Sequence, residues 1–324
     1  MSNKVLKPKK ASLYQFTQKY SNNIDNCIEF FKSMKWPEGF SCDRCGCHKY
    51  YLVKRVGKTK TSYVLECSSC HKQHSLLSGT IFQSCKLDLY KLLLGIFLFF
   101  NENKGISAVE LCSILDVNYK TALLLESKCR ILMSLSNSDK LLNSLFYEAD
   151  VFNIGAKSKN KAGRASEQQP ILGILSTDKE NNYPRFIKLR VITDYTGLSL
   201  KKNIEKCCVL SHDALLNTDG EKGFNTLNEE IQVKNEKISY EEKDHRLLWL
   251  NIIIGNIKNN ITGIYHGITK REMPLFLNEQ EYRFNHRKMG KTIMDKIKKY
   301  LQRSFPISHR QIVYILNISA PHFS

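Results

Sequence analysis

The sequence has no long hydrophobic run: its most extended apolar stretch, Leu92 to Phe100, sits between Lys91 and Asn101. That falls well short of the ~20 residues a membrane-spanning helix needs, so it reads as a buried core helix. No apolar signal core opens the chain either, because the basic segment Met1 to Lys10 gives way to the polar residues 11–26, and a cytoplasmic protein is expected. No internal repeat is evident. Acidic residues are scarce: 31 Asp and Glu face 49 Lys and Arg, for a formal charge of +18. Charge this far from zero repels itself in a compact state. A polyanionic partner accounts for it, since each neutralised phosphate releases condensed counterions, and nucleic acid is the expected partner.

What the chain has in quantity is cysteine, eleven in 324 residues. Without a secretory signal these argue against a disulfide framework and for metal ligation beside ordinary buried thiols. The length, with 42% hydrophobic residues, predicts two or three cores. Texture divides the chain into a helical lead-in (1–37), a cysteine-rich block (38–85), a helical region (86–140), an α/β region (141–290) and a basic tail (291–324). A helix is predicted over 24–34, ended by Trp36-Pro37-Glu38-Gly39 because proline disfavours helix in the residue before it.

Cys42-x-x-Cys45 and Cys67-x-x-Cys70 are two knuckles separated by 21 residues. Each CxxC turn aims two sulfurs at one point, so the pair supplies the four thiolates of a closed structural zinc site. Cys47 and His48 stand immediately downstream as rival ligands. Strands are predicted over 50–53 and 62–65, around a basic tip from which Lys54, Arg55, Lys58 and Lys60 could touch phosphates. Residues 106–115 and 119–133 are apolar at helical spacing on either side of Asp116-Val117-Asn118. That suits a helix-turn-helix, whose second helix would face DNA with Asn118, Tyr119, Lys120 and, further along, Lys128; a plain helical connector fits the same pattern.

Beyond Leu145 the predicted order is three strands (145–153, 170–176, 185–192), a helix (198–208), a strand ending at Asp219, and a late helix (245–261). This is the order of an RNase H-like α/β layer. Phosphodiester cleavage by two cations needs oxygen ligands held together. Asp150, on an otherwise apolar strand, and Asp219, at a strand end, suit that task, although an Asp before Gly is also a common turn residue. Asn251 and Lys258 are two helical turns apart and share a face. The amide can offer a neutral oxygen to a metal and the lysine can grip a phosphate.

With these residues in place, the chain resembles the zinc-ribbon insertion-sequence transposases of the ISXO type (the IS-fifteen-ninety-five group), related to Merlin elements. The likeness runs through Trp36-Pro37-Glu38-Gly39 with Cys42-x-x-Cys45-Gly46, Ser78-Gly79-Thr80-Ile81-Phe82, Tyr147-Glu148-Ala149-Asp150 with Ile154-Gly155, and Lys161-Ala162-Gly163-Arg164. It continues through Thr218-Asp219-Gly220 with Gly223-Phe224, Lys258 with Gly263-Ile264-Tyr265-His266-Gly267, and Glu281-Tyr282-Arg283-Phe284-Asn285-His286-Arg287. The resemblance implies an RNase H-like catalytic domain behind a zinc ribbon and a helix-turn-helix. It also implies binding of terminal inverted repeats, cleavage and strand transfer with magnesium or manganese, and a homodimer or larger synaptic assembly. Asp150, Asp219 and Asn251 are the implied metal ligands, with Lys258 beside them. Asp43 stands where the knuckle often has Pro, and Val151-Phe152-Asn153 replaces a more polar run after the first Asp. The alternative expectation is a catalytically silent, transposase-derived DNA-binding regulator.

Overall fold

The computed structural model describes residues 12–57, 61–137, 141–155, 168–178, 183–235, 247–287 and 292–319. The chain divides into two compact units, Met1–Leu135 with Lys288–Ile312 and Ser136–Arg287 with Val313–Ser324. The first opens with α1 (Leu13–Tyr20) and α2 (Ile24–Lys35), which start on the side chains of Ser12 and Asn23; these accept the amides of Gln15 and Asn26. α1 falls in the stretch read from sequence only as polar. It forms because Ser12 caps it and because Phe16 and Tyr20 are buried, Phe16 stacked on Phe97.

A three-stranded antiparallel sheet follows, in the order β1 (Tyr50–Val56), β2 (Thr61–Cys67) and β3 (Gln73–Ser75), one strand more than expected. α3 (Leu89–Asn101), capped by Asp88, buries Leu92, Leu93 and Ile96 through Phe100, as its apolar run predicts. α4 (Ala108–Leu115) and α5 (Tyr119–Asn137) complete the sequence of helices. α3 meets α5 closely at Gly95, where a Cβ would stand 2.5 Å from Leu125 Cδ2.

The second unit is built on a five-stranded sheet of β4 (Phe146–Ile154), β5 (Gln169–Asp178), β6 (Tyr183–Val191), β7 (Leu215–Thr218) and β8 (Gln232–Asn235), ordered β6-β5-β4-β7-β8. β4 is central, antiparallel to β5 and parallel to β7. With α6 (Gly197–Glu205), α7 (Leu248–Asn260) and α8 (Met273–Asn285), this is an RNase H-like arrangement. Alternation along β4 supplies both faces: Tyr147 and Ala149 pack with Leu200, Ile204 and Phe224, while Phe152 and Ile154 pack with Leu250, Ile253, Ile257 and Phe276. Burial contributes roughly 1.5–3 kcal/mol per large aliphatic side chain, so this stripe holds α7 on the sheet.

The outer edge of β6 is closed by α8 and the turn after it. Glu281 accepts the Leu189 amide and pairs with Lys188 and Arg190, each at 3.0 Å. Asn285 accepts from the Ile187 amide at 2.8 Å and donates to the Ile187 carbonyl at 2.9 Å, and Arg287 reaches the Arg185 carbonyl. Side chains thus occupy hydrogen-bonding positions that another strand would take. The carboxyl-terminal signature Glu281 to Arg287 does structural work here.

Residues 291–324, set apart in sequence as a basic tail, contribute α9 (Ile293–Arg303) to the first unit; α10 (His309–Ser319) follows. α9 buries Ile297, Tyr300 and Leu301. Lys298 donates to Ser33 Oγ at 2.9 Å and Gln302 to the Met34 carbonyl at 3.0 Å. Among the described residues no helix is long and apolar enough to cross a membrane.

Candidate metal centre and candidate active site

In the ribbon, the Sγ atoms of Cys42, Cys45, Cys67 and Cys70 all lie within 4.8 Å of one another, with Cys42 and Cys70 at 3.6 Å and Cys45 and Cys67 at 3.5 Å. Four thiolates around a tetrahedral zinc at ~2.3 Å stand about 3.8 Å apart, so the donor set fits the ion. Burial works against the Cys42 thiolate, but the amides of Arg44 and Cys45, the His74 ring and Cys70 outweigh it and bring the thiol down to about 6. The rivals are accounted for elsewhere. Cys47 Sγ contacts Ser68 Oγ at 3.5 Å, and His48 Nδ1 lies 3.0 Å from the Phe40 carbonyl oxygen. Sequence reasoning missed His74, which is buried on β3 and forms a second cluster with Cys42 and Asp43; a histidine four residues past Cys70, with His71 between them, carries no ligand pattern. Lys54 and Arg55 are exposed on β1, whereas Lys58 and Lys60 fall outside the described residues, as does the Lys161 to Arg164 stretch.

Between α4 and α5 the chain turns at Asp116 in the left-handed region, φ 49°. Asn118 Oδ1 then accepts both the amide and the hydroxyl of Thr121, each at 2.9 Å, which caps α5. Asn118, Tyr119 and Lys120 are all exposed, so the tip of α5 presents the three residues named from sequence. The same helix corrects the expectation for Lys128. It is buried, and its Nζ donates to the Ile81 carbonyl at 2.5 Å, so it faces the interior.

The second site grows out of strand register. β4 and β7 are paired in parallel from Phe146↔Leu215 to Ala149↔Thr218, so the next residues on each strand are Asp150 and Asp219. Adjacent strands run ~4.8 Å apart, which sets the two carboxylates side by side where β7 ends, midway along β4. Gly220 follows Asp219 with φ 64°, a conformation that favours glycine and turns the chain away. Burial pushes the Asp150 carboxyl upward; the Val151 amide opposes that, Asp219 and Glu221 add to it, and Lys258 opposes it. Those same groups mark out the neighbourhood of Asp150. Lys258, exposed on α7, holds its Nζ 5.7 Å from the Phe152 ring centroid. Asn251 is exposed in the first turn of α7, two turns before Lys258.

Two carboxylates were not singled out from sequence. Glu221 lies two residues past Asp219 and lines an open cleft with Tyr195, Lys222 and Gly223. Gly223 is needed there because a Cβ would stand 2.8 Å from the Tyr195 carbonyl oxygen. Glu148, two residues before Asp150, is fully buried; its Oε2 accepts the Leu250 amide at 2.8 Å, and burial pushes its carboxyl up to about 7.

Comparison with known proteins fits this division. The transposase zinc-ribbon domain family matches residues 23–73, and the ISXO2-like transposase domain family matches residues 146–285. The thiol cluster falls within the first span, and Asp150, Asp219, Asn251 and Lys258 within the second; α4 and α5 lie in neither. A search of curated proteins gave no match. The four-cysteine cluster in a zinc-ribbon domain supports a structural zinc.

Proposed function

Because the chain belongs to the zinc-ribbon transposases of the IS-fifteen-ninety-five type, we propose that it is a DNA transposase that binds the terminal inverted repeats of an insertion sequence, cleaves its ends and joins them to target DNA. The observation that carries this reading is the parallel register of β4 and β7, which brings Asp150, midway along β4, beside Asp219 at the end of β7, with Lys258 acting on Asp150. Magnesium or manganese ions held there would activate the attacking oxygen and stabilise the leaving one. Asp150 and Asp219 supply the charged oxygens that hard cations prefer, and Asn251 adds a neutral one. Lys258 holds a phosphate near the scissile bond. In the first step a water oxygen bonds to phosphorus while the bond to the 3′ oxygen breaks. In the second, that freed 3′ hydroxyl oxygen bonds to a target phosphorus and displaces the target's own 3′ oxygen.

In this reading α4 and α5 form a helix-turn-helix whose exposed tip, Asn118, Tyr119 and Lys120, enters DNA, and Lys54 and Arg55 of the ribbon contact phosphates. Lys58 and Lys60 belong to the same basic tip by sequence. Two ends must be held together for transposition, so a homodimer or larger assembly follows. One feature favours a second reading, a silent DNA-binding regulator: Val151-Phe152-Asn153 and Asn251 leave the site with fewer carboxylates than a fully acidic one. A duplex carrying the inverted repeat that flanks the coding sequence distinguishes the two. In magnesium the wild type should nick it, and Asp150→Asn should bind it without nicking. A wild type that binds but does not nick supports the regulator, and nicking by Asp150→Asn places the chemistry elsewhere.

A further inference from the structure

We propose that Glu148 is a positioning residue for cleavage, holding α7, and with it Asn251 and Lys258, in fixed relation to the two aspartates; this rests on the reading of that site as the cleavage centre. The starts of the helices point to it. α1, α2, α3, α4, α6 and α9 each begin on a capping side chain from the residue just before them, namely Ser12, Asn23, Asp88, Ser107, Thr196 and Thr292. α7 has Leu247 in that place, with no side-chain cap. Its first turn is closed from β4 instead, by Glu148 Oε2 on the Leu250 amide, across 102 residues of sequence. Leu250 is the third residue of α7, and its amide is one that a local cap would take.

A cap from the preceding loop sets where a helix begins. A cap from β4 also sets where the helix sits against β4. Asn251 follows Leu250 directly, and Lys258 lies two turns on. On the strand, Glu148 and Asp150 are two residues apart and so share a face of the sheet. β7 repeats the arrangement: Asn217 is the register partner of Glu148 and precedes Asp219 by two. Both side chains are buried, and Glu148 Oε1 and Asn217 Oδ1 lack hydrogen-bond partners among the described residues. A layer of buried polar atoms therefore lies directly behind the two aspartates. A local cap at the start of α7 would serve the Leu250 amide without the orphaned Glu148 Oε1, so stability alone does not account for a carboxylate reaching from β4. DNA contact does not account for it either, because Glu148 is 0% exposed and its Oε2 is taken by the helix.

The test compares Glu148→Gln, whose amide oxygen still accepts the Leu250 amide, with Glu148→Leu, which cannot. In the repeat-end nicking assay the Gln variant should stay within about threefold of wild type, while the Leu variant should lose about 100-fold in kcat, the scale on which a 1 Å misplacement costs rate. KM for DNA should be unchanged in the Leu variant, and its thermal midpoint should fall by no more than about 2–4 °C, the scale of one lost cap. Hydrogen exchange of the first-turn amides of α7 gives a readout independent of activity: about tenfold faster with Leu, unchanged with Gln. Wild-type nicking or unchanged exchange in Glu148→Leu would overturn the proposal. So would equal losses in both variants, which would tie the role to charge, or a fall in thermal midpoint matching the lost rate, which would make Glu148 a residue of the fold alone. Asp150→Asn separates the two possible failures. If it nicks like wild type, the cleavage centre itself is misassigned; if it is inert while Glu148→Leu is unaffected, only the positioning role fails.

Discussion

In the ribbon, β1 shows most of its length to solvent, β3 is three residues long, and four thiols gather at the knuckles. In the second unit, a five-stranded sheet is covered on both faces by apolar clusters, and its edge strand β6 is closed by side chains from α8. A zinc at the first site would hold its fold together. The second is a pair of aspartates, one midway along β4 and one just past β7, on a sheet whose core owes nothing to them. Removing the ligands should therefore unfold one region and leave the other standing.

The largest effect is expected from Cys67→Ser combined with Cys70→Ser. Structural zinc sites of this kind have apparent binding energies of ~10–16 kcal/mol, so the variant should lose zinc and ribbon structure together. The second unit should melt within about 2 °C of its wild-type midpoint, a shift of at most roughly 0.5–1 kcal/mol for a domain of this size. Metal analysis with thermal unfolding reads both. A single transition that moves as a whole would break the contrast.

Next in size is Glu281→Ala. Lys188 is only 4% exposed and pairs with Glu281 at 3.0 Å, so truncation leaves a buried, uncompensated charge. Losses of ~3–5 kcal/mol are typical when one partner of such a pair is removed. Urea unfolding of the second unit should show it, with zinc content unchanged. An equal loss from Glu281→Ala and from the exposed-site control Lys120→Ala would contradict it.

A smaller effect concerns pH, where the regions differ in sign. Burial pushes Glu148 up to about 7 from its usual 4.5, so between those values the native state keeps a proton that the unfolded chain releases. The contribution of Glu148 to stability therefore falls as pH rises through that window, and Glu148→Gln should flatten the dependence. The ribbon acts oppositely: its thiols must lose their protons to hold zinc, so its stability is lost as pH falls. Unfolding free energies across pH 4 to 9 for wild type and Glu148→Gln check the first sign.

How much could be read from sequence follows from the same contrast. The ribbon ligands were legible because each knuckle is a four-residue pattern. The central strands and α7 were legible because alternation and the helical stripe of Leu250, Ile253, Ile254 and Ile257 are local. The partners of Glu148, Glu281 and Asn285 lie 102, 92 and 98 residues away, and no periodicity reports such a distance. The Glu281 to Arg287 signature could be recognised without its edge-closing work being visible. Lys128 was misread for a related reason: spacing places a side chain on a helix face, but only the packing of α5 says that this face is interior.

Manganese binding tests the central claim most directly, since it asks whether Asp150 and Asp219 form one cation site without requiring turnover. Binding should be measured by calorimetry on zinc-loaded protein, with and without repeat-end duplex, for wild type, Asp150→Asn and Asp219→Asn. Wild type should bind manganese, and more tightly with DNA present, because Asn251 adds an oxygen but no third charge and phosphate oxygens complete the shell. Each aspartate variant should bind at least about tenfold more weakly, the loss of one charged ligand. Manganese affinity that is the same in wild type and both variants would contradict the account.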